Sequence, residues 1–246
     1  MKHSATRALA LLEAMNLRPV SAVRELAAAT GISKPSVVRL LGILIDDGYV
    51  QRASKPGSYM LTRNVQRLSA GFRDDSNITR AAGPLMEELT REFEWPAALG
   101  MFEQGAMVVR YSTIPSSPIA WYRTTLYHRL PMLEFAMGLV YLAFSPAPVR
   151  AALLEAAGSD HVSPAERSEE RFLQMRRQGY ALRAPTANHP TLSIAVPLLL
   201  DGRVLAALSM TLFGRAIAAD EAVARYLEPL RGAARAIVSQ SDLKRW

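Results

Sequence analysis

Residues 21–52 read SAVRELAAATGISKPSVVRLLGILIDDGYVQR, and this run decides the fold of the first third of the chain. Ser21 is placed to cap a helix over 22–30, which Gly31 follows at a position suited to a left-handed residue. Ser33 is placed to cap another helix, whose apolar residues recur at helical spacing and predict a buried stripe: Val37, Leu40, Leu41 and Leu44. The run therefore predicts a helix, a turn and a second helix.

A further helix precedes this run and a β-hairpin follows it. The spacing of apolar residues predicts the first helix over 6–15. Extended pieces over 49–52 and 58–62 flank the sequence ASKPG at 53–57, where proline and glycine favour a turn and Lys55 adds a positive charge. A helix-turn-helix followed by a hairpin with a basic tip is typical of a winged helix-turn-helix.

The positive charge of the chain is concentrated in this first part. The 246 residues include 29 Lys and Arg against 22 Asp and Glu, for a net charge of +7. Residues 1–73 hold 11 of the basic and 4 of the acidic residues, so the remainder holds 18 of each (29 − 11 and 22 − 4). A basic block joined to a neutral one indicates an anionic polymer as partner, of which nucleic acid is the commonest. Charge that only keeps the protein in solution explains this figure equally well.

Composition excludes several other classes of protein. Half of the residues are hydrophobic, which excludes an intrinsically disordered chain, and the absence of cysteine excludes disulfides and thiolate zinc sites. The longest apolar stretch, 130–144, is broken by Glu134, so we expect no membrane span and a soluble, cytoplasmic protein. The four histidines are scattered and no phosphate-binding glycine loop is present. The sequence therefore predicts no catalytic residue, no metal site, no cofactor and no enzymatic activity.

The second helix of the helix-turn-helix carries the candidate DNA contacts. A helix that enters the major groove needs short polar and cationic side chains on its outer face. Arg39 is the candidate for a base or an adjacent phosphate, and the hairpin cations would contact the DNA backbone or the minor groove. The candidate DNA-binding residues are Ser21, Ser33, Lys34, Ser36, Val37, Arg39, Arg52 and Lys55. Each alone is more typical of solvated helix surface, and it is their ordered assembly that favours DNA binding.

The rest of the chain predicts a linker and an α+β domain. We assign 1–62 to the winged helix-turn-helix, 63–76 to a linker helix and 77–246 to a second domain. Its predicted helices span 78–93, 131–144, 146–156, 163–178 and 221–238, and its predicted strands span 97–102, 107–112, 193–200 and 204–211. Asp201-Gly202 between the last two strands is a strong hairpin signal. Helices packed on an antiparallel sheet give an α+β fold.

Several motifs resemble the IclR family of bacterial transcriptional regulators. RALALL at 7–12, TGISKPSVVRLL at 30–41 and GYV at 48–50 resemble its DNA-binding domain. PMLEFAMG at 131–138, QGY at 178–180 and IAVP at 194–197 resemble its effector domain. The resemblance covers nearly the whole chain. It implies a GAF-like α+β effector domain and a homodimer or homotetramer that binds double-stranded operator DNA.

Within that family the chain is most similar to activators of aromatic-acid degradation, of the 3-hydroxyphenylpropionate type. The segments that carry this similarity are LSAGFRD at 68–74, WP at 95–96, AMVVR at 106–110 and GLVYLAF at 138–144. The similarity implies that the effector is an aromatic carboxylic acid and that the target genes are catabolic. A sensing module that acts through protein contacts instead of DNA is the alternative.

The resemblance also implies where the effector binds. The positions that it places at the ligand pocket are Arg123, Thr124, Arg183, Thr191, Ser193, Ser209 and Thr211. Hydroxyl groups can hold a carboxylate and an arginine can bind it through two hydrogen bonds, although serine and threonine are also ordinary strand residues. The chain departs from the family at Pro185, Thr186 and Pro190, where relatives usually have Glu and Gly.

Overall fold

The chain folds into two compact units, Met1–Arg73 and Asp74–Trp246. The computed structural model describes residues 4–68, 77–120, 125–157, 164–186 and 190–241. The predicted domain limits at 62 and 76 stay predictions, because 69–76 lie outside the described residues.

The first unit is a winged helix-turn-helix, as the sequence predicted. Its elements are α1 (Ser4–Asn16), β1 (Ser21–Ala22), α2 (Val23–Thr30), α3 (Lys34–Asp46), β2 (Val50–Arg52) and β3 (Ser58–Leu61). The chain bends by 108° between α2 and α3, within the range of about 90–120° for a helix-turn-helix. The three strands form an antiparallel sheet in the order β1-β3-β2. The apolar stripe of α3 is buried against α1, α2 and the sheet.

The predicted cap of α2 was wrong. Ser21 lies in β1, where it pairs with Tyr59, and α2 is capped by Ala22. The amide of Ala22 donates to a carboxylate oxygen of Glu25 at 2.8 Å. This hydrogen bond, assisted by the charge of Arg18, lowers the pKa of Glu25. A strand pairing that sequence spacing does not show therefore displaced the cap by one residue.

The predicted linker helix is only partly within the described residues. A 3-10 helix spans Arg63–Leu68, and 69–76 of the predicted helix lie outside the described part of the chain. The side-chain amide of Asn64 donates to the carbonyl oxygen of Gly48 at 3.1 Å, and Thr62 donates to the same oxygen. These bonds attach the start of the 3-10 helix to the end of α3.

The second unit is an α+β fold around one antiparallel sheet. Its elements are α4 (Asn77–Phe93), β4 (Ala97–Glu103), β5 (Ala106–Ser112), β6 (Arg129–Pro131), α5 (Ala136–Phe144), α6 (Ala147–Ala156), α7 (Glu169–Gln178), β7 (Ala181–Arg183), β8 (Thr191–Leu200), β9 (Arg203–Phe213) and α8 (Ala219–Gln240). The strand order is β6-β5-β4-β9-β8-β7. Asp201 and Gly202 both adopt positive φ (+49° and +77°), which confirms the predicted two-residue hairpin.

Two predicted helices of this unit begin later than expected. Pro131 belongs to β6, which pairs with β5, and α5 begins only at Ala136. A side chain on Gly138 would meet the carbonyl oxygen of Met132 at 2.1 Å, so the segment before α5 folds back directly onto that glycine. The predicted helix over 163–178 is a 3-10 turn at Pro164–Arg167 followed by α7, because Ser168 caps α7 by accepting from the Arg171 amide at 3.3 Å. The short strands β6 and β7 were not predicted.

The two faces of the sheet carry side chains of different size. Successive side chains of a strand point to opposite faces, so alternate residues of β8 and β9 separate into two sets. The large set packs against α4 and α8: Leu192, Ile194, Val196, Leu198, Leu208, Met210 and Leu212. The set that faces α5 and α7 is small and includes Ala195 and Ala207. One face is therefore filled by the strands themselves, while the other leaves space between sheet and helix.

A buried arginine holds the C-terminal end of α5 in place. The Arg150 side chain is 4% exposed, and its guanidinium donates to the carbonyl oxygens of Ser145 at 2.8 Å and Leu142 at 3.3 Å. It also pairs with the carboxylate of Glu169, with an Nε to Oε2 distance of 3.1 Å. Because a buried charge needs partners, this site fixes the C-terminal end of α5 to α6 and α7.

Replacement of Arg150 by methionine should lower the free energy of unfolding by about 1–3 kcal/mol, since the two α5 carbonyl oxygens lose a charged donor. Denaturant titration of the full chain, followed by circular dichroism, measures the change. Arg176→Met, at an exposed position of α7, is the matched control and should stay within about 0.5 kcal/mol of wild type. Equal losses in the two variants would show that Arg150 has no special role.

Candidate functional site

The outer face of α3 presents an unpaired basic surface. Ser33, Lys34 and Arg39 are exposed and Ser36 is half-buried. The Ser33 hydroxyl donates to the Ser36 hydroxyl at 3.0 Å, so the predicted N-cap serine lies at the cap position without bonding to a backbone amide. Within the described residues no carboxylate pairs with Lys34 or Arg39. Both cations are therefore available to an anion.

The β-hairpin extends this basic surface. Arg52 at the end of β2 and Lys55 at the hairpin tip are both exposed. The tip is closed by the Ala53 amide, which donates to the carbonyl oxygen of Ser58 at 2.8 Å. The predicted hairpin cations thus lie at the end of β2 and on the ordered turn that follows it.

The burial of two candidate residues excludes them as DNA contacts. Ser21 is 2% exposed and Val37 is fully buried in the core of the first unit. Ser21 is enclosed because β1 pairs with β3, and Val37 because it belongs to the apolar stripe of α3. Neither side chain can contact DNA from these positions.

Exposed cations of the first unit outside the predicted list include Arg24, Arg63 and Arg67, and also Arg18, which pairs with Glu25. Arg24 lies in the first turn of α2, and Arg63 and Arg67 lie on the 3-10 helix that follows β3. The charge count of residues 1–73 included them, but no periodic pattern distinguished them from solvated surface.

The second unit contains a cavity of about 260 Å³ between its sheet and the start of α5. A row of small residues crosses four strands on this face of the sheet, since Ala98, Ser209, Ala195 and Ala181 are successive cross-strand partners, and Ala98 and Ser209 line the cavity. Phe135 and Met137 close the cavity from the α5 side. Small strand residues such as Ala98 and Ser209 therefore leave this space open on the sheet side.

Hydroxyl groups line one wall of the cavity. Thr191, Ser193, Ser209 and Thr211 all lie in its lining. The hydroxyl oxygens of Ser193 and Thr211 are 3.4 Å apart. The Thr125 hydroxyl donates to that of Ser112 at 3.2 Å, and both also line the cavity.

The structure describes Arg183, which is one of the two predicted arginines. Arg183 is in register with Ser193 on the neighbouring strand and shares its face of the sheet, but it lies outside the cavity lining. Its guanidinium pairs with the Glu166 carboxylate at 3.3 Å, and its buried Nε has no hydrogen-bond partner among the described residues. Arg123 and Thr124 lie outside the described residues.

His128 is a cavity residue that the sequence reasoning missed. Its carbonyl oxygen accepts from the Val109 amide at 3.1 Å, which extends the pairing of β5 and β6 and places the imidazole at the cavity. Burial lowers the pKa of His128, so the ring is neutral at pH 7 and can both donate and accept a hydrogen bond. The only signal in the sequence was its position just before the PMLEFAMG motif.

Neither a metal-binding cluster nor a single membrane-spanning helix is found among the described residues. Within the described ranges, no group of three or more His, Cys, Asp or Glu side chains could hold a metal ion. Of the helices described, none is by itself long and apolar enough to cross a membrane, and α2 and α3 meet that test only as a sharply bent pair.

Comparisons with known proteins match both units. Residues 4–54 match the IclR helix-turn-helix domain, and residues 72–239 match the C-terminal domain of the bacterial transcriptional regulator IclR. The chain is 27% identical over 245 residues to the transcriptional regulator KdgR of Escherichia coli, covering 96% of this chain and 92% of that protein.

Solved structures show the same fold. A transcriptional regulator of this type from Alicyclobacillus acidocaldarius is 19% identical, with a TM-score of 0.71 over 98% of this chain and 99% of its own. A homologue from Microbacterium hydrocarbonoxydans, solved with 4-hydroxybenzoate, is 20% identical, with a TM-score of 0.67 over 98% of this chain and 100% of its own. At this identity the likeness establishes the fold.

The stability of the chain should decline as the pH falls below about 6.5, because His128 has a lowered pKa only in the folded state. The unfolded chain then binds the proton first, so the contribution present above about pH 6.5 is lost toward the folded-state pKa. Thermal melting of wild type and of His128→Gln at about pH 7.5 and about pH 5.5 measures it. The wild type should lose more of its Tm, and identical losses would contradict the assignment.

Proposed function

Since the chain belongs to the IclR family of bacterial transcriptional regulators, we propose that it controls catabolic genes in response to an aromatic carboxylic acid. It is a DNA-binding regulator with an effector-binding C-terminal domain, and its relatives are regulators and not enzymes. The proposed parts are the effector class, the target genes, the contact residues and action on DNA in the cytoplasm.

The cavity of the second unit is the observation that carries the effector proposal. Its volume of about 260 Å³ lies below the range of about 300–1,000 Å³ for drug-sized ligands, which suits a single-ring compound. Val109, Leu130, Phe135 and Met137 offer an apolar wall for the ring. The hydroxyls of Ser193, Ser209 and Thr211 in the same lining can donate to a carboxylate. The cavity therefore offers apolar and hydrogen-bonding groups for the two ends of an aromatic acid.

The negative charge of the ligand requires a cation, and Arg183 is the proposed source. It lies in the same cross-strand row as Ser193 and Thr211, and its Nε has no partner among the described residues. A carboxylate at the hydroxyl wall would compete with Glu166 for this guanidinium. Arg123 and Thr124 stay proposed contacts from the segment outside the described residues. The complex of a relative with 4-hydroxybenzoate supports this class of ligand.

The DNA-binding proposal places α3 in the major groove. Ser33, Lys34, Ser36 and Arg39 would face the DNA there, with Arg52 and Lys55 of the hairpin on the backbone or in the minor groove. A homodimer or homotetramer would present these modules to a near-palindromic operator with half-sites one or more helical turns apart. Ligand binding would then alter operator affinity through the segment that joins the two units, which is a coupling free energy between two sites.

An aromatic acid should bind the full chain, and Thr211→Val should weaken that binding by about 1.5–3 kcal/mol through the loss of one donor to a charged group. Isothermal calorimetry with substituted benzoates and phenylpropanoates measures the affinities. The corresponding primary amides keep the ring and remove the charge, so they should bind less well.

Ser239→Ala is the matched control for this experiment, because it removes an exposed hydroxyl from α8 far from the cavity lining. Its affinity should equal that of wild type. The effector proposal fails if no acid binds while an unrelated class of compound does, or if Thr211→Val binds acids as tightly as Ser239→Ala.

Arg39→Ala should weaken binding to a preferred DNA sequence by about 1–3 kcal/mol and relax the preference, whereas Lys55→Ala should weaken binding to all sequences and reduce the salt slope by about 1. Electrophoretic mobility shifts over a range of salt concentrations, with duplexes enriched from a random library, measure both effects.

Arg203→Ala removes an exposed cation from the second unit and serves as the control, with wild-type affinity expected. Binding that shows no dependence on salt would favour the alternative in which the module signals through protein contacts. Unchanged affinity and selectivity in Arg39→Ala would remove that residue from the contact surface.

A further inference from the structure

We propose that Val38 determines part of the operator sequence by contacting the 5-methyl group of a thymine in the major groove. The proposal rests on the proposed placement of α3 in that groove. It assigns a specificity role to an apolar residue of a surface that is otherwise polar and cationic.

The exposure of Val38 is the first observation. Its side chain is 50% exposed on α3, while the adjacent Val37 is fully buried. The core therefore does not account for Val38. A valine in a helix also occupies essentially one χ1 rotamer, so it presents its two methyl groups at a defined position with little entropy to lose on contact.

The neighbours of Val38 are the second observation. Val38 lies one helical turn after Lys34 and directly precedes Arg39, and no carboxylate among the described residues pairs with either cation. A partner that is apolar throughout would leave both charges desolvated and unmatched. A partner that combines phosphates with one small apolar group satisfies all three side chains together.

The space beyond Val38 is the third observation. Gly42 follows one turn later on the same face, and a side chain added there would meet no described atom within 4 Å other than the backbone of its own helix. The described fold therefore does not require a glycine at this position, although glycine in a helix costs about 1 kcal/mol relative to alanine. The helix face that Val38 and Gly42 share therefore carries small side chains at these two positions. This allows the helix to lie close to the floor of a groove.

The chemistry of the groove identifies the group that Val38 contacts. Among the base edges exposed in the major groove, the thymine methyl is the apolar one, and the other groups are hydrogen-bond donors or acceptors. Val38 lies in the N-terminal half of α3, the half that contacts base edges in helix-turn-helix proteins. A contact between the valine and the thymine methyl removes both from water.

Uracil substitution tests the proposal, because uracil differs from thymine only by the missing methyl group. Duplexes enriched by the full chain from a random library are synthesised with each thymine replaced in turn. Wild type should lose about fourfold in affinity at one thymine of each half-site, which corresponds to about 0.8 kcal/mol for one methyl-sized group. Val38→Ala should bind the thymine and uracil duplexes equally at that position.

Ile43→Ala is the matched control, since Ile43 is 49% exposed in the C-terminal half of the same helix. It should keep the wild-type sensitivity to uracil. Val38→Ala is expected to fold, because it replaces a half-exposed residue by a better helix former, and its thermal melting curve verifies this.

Three results would overturn the proposal: no uracil substitution weakens wild type, the loss persists in Val38→Ala, or it disappears equally in Ile43→Ala. An experiment in which no DNA sequence is enriched at all would instead contradict the DNA recognition on which the proposal rests. The two failures are therefore distinguishable.

Discussion

The second unit depends on the alternation of large and small residues along β8 and β9. Leu192, Ile194 and Val196 fill the space under α4 and α8, while the opposite face carries the smaller Ala195 and Ser209. Arg150 fixes the C-terminal end of α5, and the first residues of α5 line a cavity together with small strand residues such as Ser209. The candidate ligand site is thus a consequence of strand geometry as much as of any binding motif.

The first unit uses one helix for two purposes in a similar way. Consecutive residues of a helix are about 100° apart, so Val37 packs into the core while Val38 and Arg39 point outward. The core contacts of α3 orient its outer face, and the hairpin adds Arg52 and Lys55 to the same basic module. The positive charge of residues 1–73 therefore lies on an ordered surface. In the second unit, by contrast, the ionisable residue described in the cavity lining is His128, which is neutral at pH 7.

Local signals predicted most of the elements, and non-local pairing accounts for the errors. The buried stripe of α3 and the Asp201-Gly202 hairpin are short-range patterns, and both were predicted correctly. The strands at Ser21–Ala22, Arg129–Pro131 and Ala181–Arg183 have only two or three residues each and exist because a distant strand offers hydrogen bonds. Their pairing made Ser21 a buried residue instead of a cap. Sequence spacing carries no information about such partners.

The sequence by itself determined the winged helix-turn-helix, the α+β class of the second unit and the hydroxyls of β8 and β9, because periodicity, turn residues and alternation act over a few residues. The tertiary structure alone decided that these hydroxyls share a cavity with His128, that Arg183 is engaged by Glu166, and that Val38 stays in solvent beside a buried Val37. Each of these depends on which distant segment packs against a residue. Burial and proximity are properties of the folded chain, and a linear sequence does not contain them until its elements have been packed together.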